Sequence, residues 1–158
     1  MRARIVFFFT VSLVAVTACT PPLAVDPAIH AADPRCASIM LAIPESVGGL
    51  AMRDTTSQAT AAYGSDNSIV VRCGVTPPGP SVDPCVTVSS SRGDVDWITR
   101  DVEDFRVAVS YGRDPAVEVF VPLIRADQAA VEILAAFSPA AALAEANGRA
   151  CLGPTDTP

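Results

Sequence analysis

Apolar and polar residues alternate most regularly over residues 105–122. Every second position is apolar on both sides of a central turn, at Phe105, Val107, Val109, Tyr111, Val117, Val119 and Val121. The turn itself reads Gly-Arg-Asp-Pro, a composition typical of chain reversals. Because successive side chains of a strand point to opposite faces, the pattern predicts a β-hairpin with one buried face.

Shorter runs rich in β-branched residues predict further strands. They cover residues 69–73, 85–89 and 95–99, and residues 50–54 form a weaker candidate. Residues 74–84 hold four prolines and two glycines, which predicts a loop. Together with the hairpin, these runs predict an antiparallel sheet of four or five strands.

A helix is predicted at the start of the folded region. Asp33 supplies a cap and Pro34 a suitable first helical residue, while Pro44 marks the end. The apolar face between these limits consists of Cys36, Ile39, Met40 and Ile43.

Helical patterns also occur later in the chain. Residues 127–137 carry an inward apolar stripe, and Ser138 with Pro139 predicts the start of a second short helix, which Gly148 ends. Residues 57–63 predict a helical turn, because they are followed by a glycine suited to a helix end.

These elements predict one α+β domain over residues 34–153, with the N-terminal helix and the C-terminal helical segment packed on one face of the sheet. Residues 19–33, rich in Pro and Ala, predict an extended tether, and residues 154–158 a disordered tail. Without residues 1–18 the chain has 140 residues, enough for one hydrophobic core.

The first residues predict export. Arg2 and Arg4 precede an apolar run over residues 5–16, and two small residues then precede Cys19. The run spans about 18 Å as a helix, short of the ~30 Å hydrocarbon core, so it suits a signal peptide better than a membrane span. The pattern predicts a lipoprotein signal cleaved before Cys19, whose sulfur then carries diacylglycerol, usually joined by an N-terminal acyl chain such as palmitate. An uncleaved membrane helix and secretion with cleavage elsewhere are the alternatives.

The charge of the chain argues against several partners. All 11 basic residues are Arg, the formal net charge is −6, and it becomes −8 once Arg2 and Arg4 are removed. Nucleic acids and anionic lipid surfaces both require basic patches, so neither is an expected partner. We therefore expect the domain to stand off the outer face of the cytoplasmic membrane on its tether.

The remaining cysteines predict two disulfides. They are Cys36, Cys73, Cys85 and Cys151, and an exported chain makes their oxidation possible. Four cysteines allow three pairings, of which we favour Cys73–Cys85, closing the Pro-rich loop, and Cys36–Cys151, joining the first helix to the tail. Their spacing fits no zinc site or redox motif, so we expect neither a metal nor a cofactor.

Catalytic chemistry finds little support. The one histidine, His30, lies in the tether, so the folded part offers no Ser-His-Asp or Cys-His arrangement. Carboxylates surround Trp97, at Asp94, Asp96, Asp101, Glu103 and Asp104. They could form a Ca²⁺ site or a glycosidase pair, but their spacing fits no EF-hand, which favours a solvated acidic loop.

Four side chains are candidates for binding a small ligand: Arg72, Trp97, Tyr111 and Arg113. The arginines could clamp a carboxylate or phosphate, and the aromatic rings could stack on a ligand. The competing interpretation places Trp97 in the core and pairs both arginines with nearby acids.

Several segments resemble a known family. They read Arg-Cys at residues 35–36, Val-Arg-Cys-Gly-Val at 71–75, Val-Asp-Trp at 95–97, Tyr-Gly-Arg-Asp-Pro-Ala-Val-Glu-Val at 111–119 and Val-Pro at 121–122. This set is similar to uncharacterised secreted or lipid-anchored actinobacterial proteins that are classed as a domain of unknown function. The resemblance spans residues 34–152 and implies an exported single domain with structural cysteines. It supplies no activity and no catalytic residue that could be carried over to this chain.

These observations favour a non-catalytic lipoprotein of the cell envelope that binds a protein partner or a cell-wall component. The alternative is a small-ligand-binding lipoprotein with a pocket formed by the arginines and aromatic residues named above. A third hypothesis is an enzyme that acts on the cell wall through the acidic cluster.

Overall fold

The computed structural model describes residues 21–153, except for the side chains of residues 127–129. Its centre is an eight-stranded antiparallel sheet in the order β1-β2-β3-β4-β9-β7-β6-β5. The strands are β1 (Ser46–Val47), β2 (Leu50–Arg53), β3 (Thr60–Tyr63), β4 (Ile69–Val75), β5 (Cys85–Val88), β6 (Val95–Val102), β7 (Phe105–Tyr111), β8 (Arg113–Asp114), β9 (Ala116–Pro122) and β10 (Glu145–Ala146). β8 and β10 form a separate two-stranded sheet.

The mostly antiparallel sheet is confirmed, but the predicted number of four or five strands is wrong. The alternating hairpin is β7 and β9, paired from Phe105 opposite Pro122 to Val109 opposite Glu118. The strands that the sequence pattern misses are short: β1 has two residues and β3 has four. β3 reads Thr-Ala-Ala-Tyr, and its alanines favour a helix by intrinsic propensity. Burial between β2 and β4 overrides that preference, so the predicted helical turn at residues 57–63 is wrong over Thr60–Tyr63.

Two helices lie in the described part of the chain, and both pack on the same face of the sheet. α1 (Arg35–Ala42) follows Pro34 as predicted, and the Asp33 carboxylate accepts the Arg35 backbone N–H at 2.8 Å. α2 (Leu123–Ala141) is one continuous helix. The predicted restart at Ser138 is therefore wrong. Pro139 lies two residues before the last helical residue, so its missing N–H removes one backbone hydrogen bond near the helix end without breaking the helix.

The main core lies between this face and the two helices. Tyr63, Trp97 and Phe137 have no exposed side-chain surface, and the rings of Tyr63 and Phe137 meet edge-on with centroids 5.5 Å apart. A smaller cluster on the opposite face contains Val107, Val109 and Ala116. The sheet thus has a covered face and an opposite face that helices do not cover within residues 21–153.

The disulfides join Cys36 to Cys73 and Cys85 to Cys151, so the favoured pairing is wrong. Cys73 and Cys85 are separated by three strands, about 19 Å at the usual strand spacing, and point to opposite faces. Cys36 instead lies on the buried face of α1, directly over β4. Two disulfides indicate an oxidising compartment outside the cytoplasm.

Residues 21–33 lie against the domain, although the sequence predicts a tether there. Leu23 bridges to Thr55, its N–H donating to the Asp54 carbonyl at 2.9 Å. Farther along, the His30 N–H donates to the Gly74 carbonyl at 2.9 Å. The predicted tether is therefore docked from Pro21 onward. Neither helix within residues 21–153 is both long and apolar enough to span a membrane.

Candidate functional site

Arg72 is held by neighbours within the protein. It lies on the face opposite the helices, and its guanidinium donates two hydrogen bonds to Oε2 of Glu118, from Nε at 2.9 Å and from Nη2. The guanidinium also stacks on the Phe120 ring, 4.9 Å from its centroid, and donates to the Asp26 carbonyl at 3.3 Å. This confirms pairing with an acid from the neighbouring strand.

Trp97 lies on the other face of the sheet, in the main core. Its indole Nε1–H donates to the Ser138 hydroxyl at 3.0 Å, and that hydroxyl donates to the Leu134 carbonyl at 2.8 Å. The indole is therefore buried with its polar group satisfied, and it is not available to a ligand.

Arg113 binds backbone carbonyls rather than an acid. Its Nη1 donates to Ala144 at 3.2 Å and its Nη2 to Asp94 at 2.9 Å, which joins the segment after α2 to the start of β6. The predicted pairing of Arg113 with a nearby acid is therefore wrong.

The four candidate ligand-binding side chains do not converge. Tyr111 lines a cavity with Ile98 and Cys151, whereas the other three line none of the five cavities described within residues 21–153. Arg72 and Trp97 lie on opposite faces of the sheet. The geometry therefore does not form the small-ligand pocket of the alternative hypothesis.

The acidic residues around Trp97 are also dispersed. Asp96 accepts hydrogen bonds from the Thr87 hydroxyl at 2.6 Å and the Cys151 N–H at 2.7 Å, so it fixes the tail to β6. Glu103 and Asp104 form the turn between β6 and β7. Among the described residues, no group of three or more His, Cys, Asp or Glu side chains could hold a metal ion.

A groove that the sequence pattern misses lies at the far end of β6. We call it the β6 groove; it has a volume of about 440 Å³. Its lining residues are Asp83, Pro84, Val86, Thr99, Arg100, Asp101, Arg106, Ala130, Val131 and Leu134. The α2 residues form an apolar wall, in which Val131 is 58% exposed, and the end of the sheet forms the other wall.

The β6 groove runs beside an open strand edge. β5 pairs with β6 only from Cys85 opposite Ile98 to Val88 opposite Val95, and Thr99 N–H then donates to the Pro84 carbonyl at 2.9 Å. Pro84 has no N–H, so it ends the ladder. Residues two apart on an antiparallel strand direct their backbone N–H and carbonyl to the same side, so those of Asp101 point to the β5 side, as Thr99 N–H does. No described strand pairs with Asp101 on that side.

Charges in the β6 groove are partly paired. The Arg106 guanidinium donates two hydrogen bonds to the Asp101 carboxylate, from Nε to Oδ1 at 2.8 Å and from Nη2 to Oδ2 at 2.9 Å. The hydrogen bonds from Arg106 hold the pKa of Asp101 below its usual value. Arg100 is exposed, and its side chain forms no hydrogen bond or ion pair with the side chains that the structure describes, which do not include those of residues 127–129. Arg100 thus places a positive charge at the rim of the groove.

One signal in the sequence points to this site. Pro84 directly precedes a predicted strand, and a proline at a strand start indicates where a ladder ends. The length of β6 beyond that point and the position of α2 are not visible in the sequence pattern. Cys19, the proposed lipid attachment site, lies outside the described residues.

Comparison with known proteins assigns the family. No curated protein and no solved structure was found to match the chain. The profile of one family, described as a protein of unknown function (DUF3515), matches residues 3–146, which is most of the chain. The chain therefore belongs to the DUF3515 family.

Proposed function

We propose that this protein is a non-catalytic, lipid-anchored component of the cell envelope that binds an extended segment of a partner protein in the β6 groove. The observation that carries the proposal is the open edge of β6 beside an apolar wall. A peptide backbone is the ligand that can pair with unpaired strand groups, which favours a protein over a cell-wall sugar.

The chemistry of the groove defines the partner segment. Its backbone continues the line of β5 past Pro84 and pairs with Asp101. An apolar side chain packs against Val131 and Leu134, and an acidic side chain near it faces Arg100. Only three β6 residues, 100–102, extend beyond the ladder, so we expect a small, transient interface.

Peptide selection tests the binding site. Random extended peptides are selected on the oxidised full chain, and the Kd of recovered sequences is measured with Val131→Arg. The substitution places a bulky charge in the apolar wall, so binding should weaken at least tenfold, about 1.4 kcal/mol. Ile124→Arg is the matched control, because Ile124 is 81% exposed on the same helix and does not line the groove.

Backbone chemistry provides the second arm. N-methylation of alternate residues of a selected peptide removes the N–H groups that would face β6 and should abolish binding, while methylation in the other register should not. Peptides that bind equally to both variants, or that tolerate methylation in either register, would contradict the proposal. Failure to recover any peptide would also count against it.

The anchor has its own test. We expect mass spectrometry of the exported protein to find residues 1–18 removed and the mass of a diacylglycerol and an acyl chain on Cys19. Cys19→Ala should leave the signal uncleaved at this position and abolish lipid labelling. An intact Met1 with an unmodified Cys19 would rule out the anchor and leave the groove proposal standing.

A further inference from the structure

We infer that the domain rests directly on the lipid bilayer through the β1–β2 edge of the sheet, rather than standing off on a tether. The surface concerned, which we call the membrane face, consists of Pro21, Gly48, Gly49, Ala51 and Met52. This inference rests on the proposed lipid anchor at Cys19. It replaces the flexible spacing expected from the sequence with one fixed orientation.

Hydrogen bonds hold the chain on the domain from Pro21 onward. Arg53 Nη2 donates to the Pro21 carbonyl at 2.8 Å. Leu23 forms two backbone hydrogen bonds with the segment that follows β2, donating to the Asp54 carbonyl and accepting from the Thr56 N–H, each at 2.9 Å. The segment is therefore bound at its very start, beside β2.

The docking continues along the segment. The Ser57 hydroxyl donates to the Val25 carbonyl at 2.6 Å. Gly74 has a φ of +92°, and a Cβ built there would lie 2.4 Å from the His30 carbonyl oxygen. Such a close approach requires glycine, so the position of residues 21–33 is built into the fold.

Little chain is left to act as a spacer. Only Thr20 lies between Cys19 and Pro21, and two residues span at most about 7 Å when extended. The fifteen residues of a free tether would reach about 50 Å by the same measure. The acyl chains on Cys19 must enter the bilayer, so Pro21 lies within a few ångströms of the headgroups.

The membrane face suits shallow contact with lipid. Gly48, Gly49 and Ala51 are exposed and uncharged, and Met52 is an exposed apolar side chain. Glu45 and Asp54 are exposed beside it, so attraction to anionic lipid does not hold the face in place. The lipid on Cys19 holds the membrane face in place, and it brings the uncharged tip of the β1–β2 hairpin to the bilayer surface.

The orientation determines where the β6 groove points. β1 and β5 are the two outer strands of an eight-stranded sheet, about 34 Å apart at the usual strand spacing. With the β1 side on the bilayer, the groove faces away from it. A partner segment would then be met outside the membrane surface.

Fluorescence quenching by lipid tests the inference. The full lipidated chain is reconstituted into phosphatidylcholine vesicles with brominated acyl chains, carrying either Met52→Trp or Val82→Trp. Val82 is fully exposed in the loop beside β5, so it is the matched control at the opposite edge. We expect Met52→Trp to lose most of its emission and Val82→Trp to keep it, with Trp97 giving a constant buried background.

A spacer variant gives the second arm. Inserting a flexible Gly/Ser segment after Thr20 frees the domain from the surface, so the emission of Met52→Trp should return. The lipid on Cys19 is measured by mass spectrometry in the same samples. If lipid is present and both tryptophans are quenched equally, or neither is, the inference fails while the anchor stands; if lipid is absent, both fail.

Discussion

The two edges of the sheet end in different ways. At the β1–β3 side, residues 21–33 add backbone hydrogen bonds beside β2, and the His30 carbonyl packs against Gly74 of β4. At the β5 side, Pro84 stops the ladder early, and among the described residues no strand pairs with the outer side of the end of β6. Natural proteins usually protect a strand edge, and the proposed peptide site rests on this open edge beside an apolar wall.

The disulfides follow the same division. Cys36 and Cys73 are almost completely buried and join α1 to a central strand. Cys85 and Cys151 are half-buried and join the outer strand β5 to the C-terminal tail. One crosslink therefore stabilises the main core, and the other holds the C-terminal tail on the outer strand at the open edge.

Removing the buried disulfide should have the largest effect. The chain-entropy argument gives about 4 kcal/mol for either crosslink, and replacing Cys36 and Cys73 by Ala also leaves space in the core. In guanidinium unfolding without reductant, the free energy of unfolding should fall more when Cys36 and Cys73 are replaced by Ala than when Cys85 and Cys151 are. A greater loss for the second pair would contradict the comparison.

Mild reduction of the folded protein provides the matching kinetic test. Because Cys85 and Cys151 are accessible, dithiothreitol followed by alkylation should label them before Cys36 and Cys73. Mass spectrometry of the peptides measures the order of labelling. Simultaneous labelling of all four would mean that both disulfides open only on global unfolding.

Opening the closed edge should have the next largest effect. Gly74→Ala forces a side chain into a positive φ and against the His30 carbonyl, which should lower the free energy of unfolding by about 2 kcal/mol. Amide exchange should become faster over residues 21–33. Gly79→Ala is the control, because nothing lies within 4 Å of its Cβ position and its φ is not positive. Unchanged exchange in Gly74→Ala would show that the segment is not held there.

High pH should lower the free energy of unfolding through ionisation of the buried Tyr63. Its hydroxyl donates to the Pro44 carbonyl at 2.7 Å, and burial raises the pKa of Tyr63 to about 12 from 10.0. The unfolded chain ionises first, so the stabilisation is complete below pH 10 and is lost as the pH rises through 12. The loss should reach about 1.4 kcal/mol at pH 11.

Denaturant unfolding of Tyr63→Phe at pH 9 and pH 11 isolates this contribution. The variant has no phenol to ionise at that position, so the drop between the two pH values should shrink by that amount. An equal drop in the variant and the parent protein would assign the pH dependence to another group.

The exposed ion pair at the open edge should give the smallest effect. Arg106→Gln removes the hydrogen bonds that lower the pKa of Asp101, so that pKa should rise toward its ordinary value. NMR titration of the carboxyl carbons measures the change, with little effect expected on unfolding because the pair is solvent-exposed. Arg100→Gln, which removes no bond to Asp101, should leave its pKa unchanged.

Sequence reasoning succeeded where a local pattern was strong. The alternation over residues 105–122 predicted β7 and β9, and Asp33 with Pro34 predicted the start of α1. It failed at β3, where Ala-rich sequence favours a helix but burial between two strands decides. It also failed at Ser138, which serves as the partner of the Trp97 indole inside a continuous helix.

The candidate site was the least predictable part. Among the arginines and aromatic residues chosen for a ligand pocket, Arg72 is paired with Glu118, and Trp97 is buried in the core. The β6 groove depends on how many residues β6 extends beyond its pairing with β5, and on where α2 packs against the sheet. Neither quantity has a local signature.

The sequence by itself determined the local elements and the chemistry available to them: the alternating hairpin, the capped helix, four cysteines for two crosslinks and an acidic chain with Arg as its only strongly basic residue. Only the tertiary structure decided which cysteines meet, which edge of the sheet is closed and whether residues 21–33 are free or docked. These outcomes depend on contacts between residues far apart in the chain, such as Gly74 with His30. Such contacts are stabilised by packing and close approach that no stretch of sequence contains alone.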